Sequence, residues 1–280
     1  MDSNSNDPPV TASGRTTPRH LRAIPAEGNG PALRARAAEP AALAPVAVPS
    51  SISGTSSGPW DDFEPRSRSE LVSRVFNCVL ATILGLIALP VALFTMLVIR
   101  LTSRGPVLYT QIRVGVDRRW TRTRALNERR REDLGGIPFT IYKFRSMRVD
   151  AEVNGQAVWA KKNDDRVTTV GKIIRKTRID ELPQLYNVIR GDMNIVGPRP
   201  ERPSIFVRLR EQIAEYPVRQ RVKPGITGLA QVSNPYDETI DDVRRKVAFD
   251  IRYMTDQSLG EDIRIMLRTI PVMLFRIGSR

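Results

Sequence analysis

Asp180 and Glu181 stand side by side in a chain that has a single histidine, His20, and a single cysteine, Cys78. Paired carboxylates can supply a nucleophile, a general base or ligands for a hard cation. The scarcity of imidazole and thiol narrows the remaining chemistry. A Ser-His-Asp or Cys-His mechanism and a histidine-ligated zinc site are excluded for the folded part. Acid, base and nucleophile must then come from Asp, Glu, Lys, Tyr, Ser or Thr, and any metal is a hard, oxygen-bound ion such as Mg2+. Cations are placed to match. Lys143 and Arg145 are two residues apart in Pro138-Phe-Thr-Ile-Tyr-Lys-Phe-Arg-Ser-Met147, where alternation suggests a strand. Phe139, Ile141 and Lys143 take one face and Thr140, Tyr142 and Phe144 the other, so Lys143 and Arg145 project to the same side, as suits an anion. Arg175 lies just before the acid pair. Arg199 sits between Pro198 and Pro200, which hold it extended, and a rigid guanidinium makes a good phosphate fork. The plain alternative is that the acids only cap a helix and the cations face water.

The acid pair opens a stretch that reads as a helix. Thr177 and Asp180 are both capping residues by type, and Pro183 is tolerated in a first turn. Leu182, Leu185, Tyr186 and Ile189 fall at i, i+3, i+4 and i+7, which predicts one apolar face, and Gly191 is a natural stop. Acids at a helix N-terminus meet unpaired N–H groups, an environment that keeps a carboxylate ionised and also welcomes phosphate. Val222-Lys-Pro-Gly-Ile-Thr-Gly-Leu-Ala-Gln-Val232 adds a second rigid element whose glycines allow close backbone approach. Asp237 to Met254 reads as an amphipathic helix with Val243, Val247, Ile251 and Met254 on one side. Ile263 to Ile277 mixes apolar residues with arginines, as in an interfacial helix.

The chain carries a formal charge of +14 over 280 residues, which points to a polyanionic partner. Residues 1–68 are rich in Ala, Pro, Ser and Gly and read as a disordered tail with no secretory signal. Residues 69–104 hold a run without charge from Val75 to Ile99. About 25 helical residues span roughly 38 Å, enough to cross a bilayer. Arginines flank both ends of the run, and Leu89-Pro90 interrupts it. A bent helix that enters and leaves by one face satisfies both flanks. Residues 105–280 form the remaining domain, with an Arg-rich insertion at about 118–137. The expected fold is α+β and mostly helical, a monotopic membrane protein with a kinked N-terminal helix, short β elements and interfacial helices.

Lys143-Phe-Arg-Ser-Met147, Asp180-Glu-Leu-Pro-Gln-Leu185, Gly197-Pro-Arg-Pro200 and Lys223-Pro-Gly-Ile-Thr-Gly228 follow an apolar helix in this order. The combination resembles the bacterial sugar transferases, the monotopic phosphoglycosyl transferases of small type. The resemblance covers about residues 70–277. It implies a re-entrant helix, with Leu89-Pro90 standing where the family has a Ser-Pro break. It implies transfer of a phosphosugar from a UDP-sugar to polyprenyl (undecaprenyl) phosphate, with Asp180 as nucleophile and Glu181 as its supporting acid. Mg2+ would be held by Asp180 and Glu181, and phosphate oxygens by Lys143, Arg145, Arg175 and Arg199. Asp250 matches a family acid at the substrate-phosphate site. The implied location is the cytoplasmic face of the bacterial inner membrane, in contact with membrane lipid, at the start of exopolysaccharide or other surface glycan synthesis. A homodimer is compatible with this reading. A membrane-anchored scaffold without catalysis is the alternative, and a nucleic-acid partner is not expected, because no reading motif accompanies the charge.

Overall fold

A computed structural model describes residues 60, 62–117, 135–151, 164–233 and 239–274. Most of the tail, and the Arg-rich insertion from 118 to 134, lie outside the described residues. The rest is mostly helical with a few short strands, as composition and periodicity suggest.

Helix α1 runs from Glu70–Thr102, capped by the Ser69 hydroxyl, and its helical path continues through Leu89-Pro90. Its burial is reversed relative to a helix in a water-soluble core. The buried residues are Ser73, Asn77, Ala81, Thr95 and Ile99, small or polar for the most part. Leu86, Ile87, Phe94 and Leu101 are each about two-thirds or more exposed. A helix that turns its small and polar residues to the protein and its large apolar ones outward is suited to lipid surroundings. It is also long and apolar enough to cross a membrane.

Strands β1 (Leu108–Val114) and β2 (Pro138–Phe144) pair antiparallel, with Tyr109 opposite Lys143 and Val114 opposite Pro138. The two faces of β2 go to different cores: Ile141 to the main one and Phe144 to a small cluster with Ile99 of α1 and Ile174. Helix α2 (Thr169–Lys176) leads into a 3-10 turn, Ile179–Glu181, and then α3 (Gln184–Arg190). Strands β3 (Asn194–Val196) and β4 (Gly225–Thr227) pair in parallel. Between them lie α4 (Pro203–Gln212) and a 3-10 helix, Tyr216–Arg221. Short α5 (Leu229–Ser233) precedes α6 (Ile240–Asp256) and α7 (Leu259–Leu274). A reciprocal Thr239–Asp242 capping box starts α6, which buries Val243, Val247, Ile251 and Met254 as the periodicity predicts.

Three sequence expectations change. The tail does not extend to residue 68, because residues 62–68 dock on α6 and α7. The Arg66 N–H donates to Met254 O, Gln257 Nε2 donates to Arg66 O, and Arg68 pairs with Asp262 at 2.9 Å. Trp60 and Phe63 pack against the core, an anchorage that average composition hides.

The helix at the acid pair begins later than expected. Thr177 is not an N-cap. It closes α2, with its hydroxyl donating to Ile173 O at 2.9 Å, and Asp180 makes no cap bond. The expected apolar face of α3 holds only in part: Leu182 and Leu185 pack against the cores, but Tyr186 and Ile189 do not. Glu181, Gln184, Asn187 and Val188 are buried, whereas Tyr186 and Ile189 are exposed. The reason is the edge of β2, whose backbone groups need partners. Asn187 meets them as a short strand would, donating to Thr140 O at 2.7 Å and accepting the Tyr142 N–H at 3.2 Å.

Candidate active site

The site is built where β2, the turn ahead of α3 and the loop after β3 converge. Lys143, near the end of β2, reaches across to the acid pair. Its Nζ donates to Glu181 Oε1 at 3.0 Å and lies 3.8 Å from Asp180 Oδ2. Arg199 Nη2 donates to the same Glu181 oxygen at 3.1 Å. Arg178 Nη1 is 3.7 Å from the other oxygen, Oε2. Glu181, 8% exposed, is thus the anion around which three cations gather. Arg178 has φ of 55°, the only positive φ of a non-glycine residue among those described. A left-handed residue with a Cβ costs about 1–2 kcal/mol. Here it brings the chain sharply from α2 into the acid pair, so that Asp180 and Glu181 turn toward β2.

Burial would raise both carboxyl groups, and the cations decide between them. For Glu181, Lys143, Arg199 and Arg178 outweigh burial and hold the carboxyl well below the usual range. For Asp180, burial wins. Lys143, Arg199 and Arg175 oppose it only in part, the Glu181 charge adds to it, and the carboxyl is raised. A helix N-terminus was expected to keep a carboxylate here ionised. Instead the environment pushes the neighbours apart, giving one anchored anion and one more basic carboxylate. Among the described residues, the Asp180 carboxylate accepts no hydrogen bond. The pair thus retains oxygens free of hydrogen bonds: both of Asp180, and Glu181 Oε2. Mg2+ is satisfied by one or two carboxylates together with phosphate oxygens and water. The donor set therefore fits a hard divalent ion arriving with a diphosphate, although no third metal-binding side chain joins the pair among the described residues.

Arg199 owes its aim to its backbone. Consecutive main-chain groups from 195 to 201 are nearly all engaged. The Ile195 N–H goes to Asn77 at 2.7 Å and the Gly197 N–H to Thr227 O at 2.9 Å. Pro198 O accepts from Gly225 N, Arg199 O from Arg219 Nη2, Pro200 O from Arg113 Nη1, and Glu201 O from Val114 N. Glycine is required at 197, where a Cβ would come within 2.5 Å of Lys223 O. This close approach is what the glycines of the Lys223–Gly228 stretch provide.

The structure gathers Asp180, Glu181, Lys143 and Arg199, and brings the Arg175 charge within reach of Asp180. It places Arg145 and Asp250 elsewhere. The strand ends at Phe144, so Arg145 does not share a side with Lys143. Its guanidinium is buried against the end of α1, donating to Ser103 O and Arg104 O at 2.9 Å each. Asp250 is 1% exposed and is paired with Arg219 at 2.6 Å, with the Tyr216 hydroxyl beside the same guanidinium. It reaches the Arg199 loop through Arg219, whose Nη2 donates to Arg199 O at 3.2 Å. Sequence reasoning missed Arg178, Arg219 and Arg113. A signal for Arg219 was present, because Asp250 lies next to the Val247–Ile251 stripe of α6, and a buried acid requires a cation.

Comparison with known proteins gives the family. The profile described as Bacterial sugar transferase matches residues 68–276. The chain is 41% identical over 212 residues to the UDP-glucose:undecaprenyl-phosphate glucose-1-phosphate transferase of Caulobacter vibrioides, covering 75% of this chain and 72% of that protein. It is 42% identical over 191 residues to the UDP-N-acetylgalactosamine-undecaprenyl-phosphate N-acetylgalactosaminephosphotransferase of Aeromonas hydrophila, covering 68% and 41%. It is 38% identical over 204 residues to the Escherichia coli UDP-glucose:undecaprenyl-phosphate glucose-1-phosphate transferase, covering 72% and 40%. The chain thus spans about two-fifths of the length of the last two. On a match of this extent, the chain belongs to the bacterial sugar transferase family.

Proposed function

We propose that the protein is a phosphoglycosyl transferase that moves a phosphosugar from a UDP-sugar to undecaprenyl phosphate. The observation that carries this reading is the contrast within the acid pair. Glu181 is committed to three cations, while Asp180 beside it is half-buried, more basic and free of hydrogen bonds. Such a carboxylate is suited to covalent attack on phosphorus. In the first step an Asp180 oxygen bonds to the sugar-bearing phosphorus, the bond from that phosphorus to the bridging oxygen breaks, and UMP leaves with the electron pair. In the second step an oxygen of undecaprenyl phosphate attacks the same phosphorus. The bond to Asp180 breaks, the carboxylate is restored, and undecaprenyl diphosphate sugar is released. The acceptor is already an anion, so no base is needed, in keeping with the lack of histidine.

Lys143, Arg199 and Arg178 hold and neutralise phosphate oxygens as charge spreads, and the Arg175 charge adds to the field at Asp180. Mg2+, held by Asp180 and Glu181, would lower the repulsion between a diphosphate and an incoming anion. The reading places the enzyme on the cytoplasmic face of the bacterial inner membrane, where it starts a lipid-linked surface glycan such as an exopolysaccharide. Re-entrant seating of α1 belongs to the same proposal. The first turns of α1 are fastened to α3 and β3, and its last turn to the end of β2. A straight helix of 33 residues, about 50 Å long, would carry those ends to opposite faces of a bilayer, yet both belong to one folded unit.

The test is UMP release by detergent-purified protein given Mg2+, undecaprenyl phosphate and a panel of UDP-sugars that includes UDP-glucose and UDP-N-acetylgalactosamine, with Asp180→Asn alongside. Release by the parent alone is expected, together with a phosphosugar adduct on the peptide containing Asp180. Equal release by the variant would overturn the covalent route.

A further inference from the structure

The contact between Glu181 and Arg199 cannot by itself hold the site together during a reaction. An entering diphosphate competes with Glu181 for Arg199, so the ion pair weakens when alignment matters most. A second restraint, independent of substrate, lies behind the site on α1. Arg74 and Asn77, three residues apart, share one face of the helix. Arg74 Nη1 donates to Val188 O at 2.6 Å and its Nη2 donates to Ile189 O. These carbonyls end α3, where helices leave acceptors without partners and where a cation meets the negative end of the dipole. The guanidinium also lies against Gly191, whose φ is 98°, and a Cβ there would come within 3.1 Å of it.

Asn77 is 2% exposed. Its Nδ2 donates to Ser73 O at 2.8 Å, which orients the amide, and its Oδ1 accepts the Ile195 N–H at 2.7 Å. Strand β3 bonds β4 through its other edge, by the Asn194 N–H to Pro224 O and the Gly197 N–H to Thr227 O. Asn77 therefore takes the place of a missing neighbouring strand. One face of α1 thus grips the end of the helix that follows Asp180-Glu181, and also the strand that leads into Arg199.

We infer that Arg74 and Asn77 are positioning residues that keep Arg199 in register with Asp180 and Glu181 while phosphate displaces the Glu181–Arg199 contact. The inference rests on the proposed transferase reading. It assigns to the apolar helix a part in turnover as well as attachment.

The experiment uses the full chain in nanodiscs and compares the parent, Asn77→Leu, which is close in size but lacks both bonds, and Arg74→Lys, which keeps the charge but loses the fork. UMP release is measured against UDP-sugar concentration, and hydrogen exchange is followed across the chain. For Asn77→Leu, kcat is expected to fall on the order of tenfold to a hundredfold, the scale of misplacing a reacting group by about 1 Å. KM should stay within about twofold, because the cations that bind the donor remain. Exchange should rise at Ile195 and along 194–199 but not in α6. Arg74→Lys should show a smaller loss with the same kcat pattern, and it serves if Asn77→Leu does not fold. Unchanged kcat and exchange would overturn the inference. So would a general rise in exchange with kcat and KM both impaired, which marks plain loosening of the fold. If the parent releases no UMP, or Asp180→Asn matches it, the transferase reading is what fails. The exchange pattern then still decides whether α1 holds the strand.

Discussion

Asp250 separates a supporting role from a direct one. Replacing it by Asn keeps its size, so no cavity opens, but removes the charge paired with Arg219. The pair is 2.6 Å apart, with side chains 6% and 2% exposed. Breaking a buried pair by removing one partner typically costs about 3–5 kcal/mol. Arg219 would keep its bonds to the Tyr216 hydroxyl and to Arg199 O, at 2.8 and 3.2 Å, so the lower end applies. At about 2–4 °C per kcal/mol for a domain of this size, the unfolding midpoint should drop by about 6–12 °C. Differential scanning fluorimetry in detergent measures that drop, and UMP release by the folded fraction measures turnover. KM for the UDP-sugar should hardly move, because Asp250 does not reach the cations around Glu181. Adding Arg219→Met should recover part of the midpoint, since an apolar replacement relieves the stranded charge. A midpoint equal to the parent's, with turnover abolished, would refute this reasoning and return Asp250 to the substrate.

The acid limb of kcat/KM should lie above the ordinary aspartate value of 3.8, because burial raises Asp180. Lys143→Met, which removes an opposing cation, should move that limb to higher pH, whereas Glu181→Gln, which removes a like charge, should move it lower. Shifts of the opposite sign would show that the limb belongs to another group. In stability the two acids act oppositely. Glu181 contributes above its ordinary 4.5, a contribution lost as pH falls toward its depressed folded value, while that of Asp180 is lost as pH rises through its raised one. Gly197→Ala should abolish UMP release, because its Cβ would meet Lys223 O and Gly225 N, whereas Gly85→Ala, with nothing within 4 Å, should leave release unchanged.

Much of the chemistry was legible in the sequence, because it depends on rare residue types in fixed local order. Lys143, Asp180-Glu181 and Arg199 could be singled out by type and spacing. The apolar helix could be read from length alone, and the α6 stripe from its period. What was not legible depends on contacts between distant segments. The apolar period of Leu182, Leu185, Tyr186 and Ile189 placed the first two against the cores but not the last two, because no period reveals a strand edge that needs an amide such as Asn187. Arg145 and Lys143 look equivalent two residues apart, yet the strand ends between them and the end of α1 claims one guanidinium. Asp250 and Arg219 are separated by 31 residues, and only the fold brings them together.

The β1–β2 pair has a consequence for the segment that it encloses. Val114 faces Pro138, the Gly115 N–H donates to Ile137 O, and the Ile137 N–H donates to Val116 O, so the chain leaves and re-enters the domain at one clamped point. Once such a stem is closed, the entropy of the enclosed segment grows only logarithmically, by about 0.6 kcal/mol for each doubling of length. The stem is therefore a graft point. The length of the segment between its two ends can change at small cost while Lys143, at the far end of the same strand, keeps its place beside Glu181.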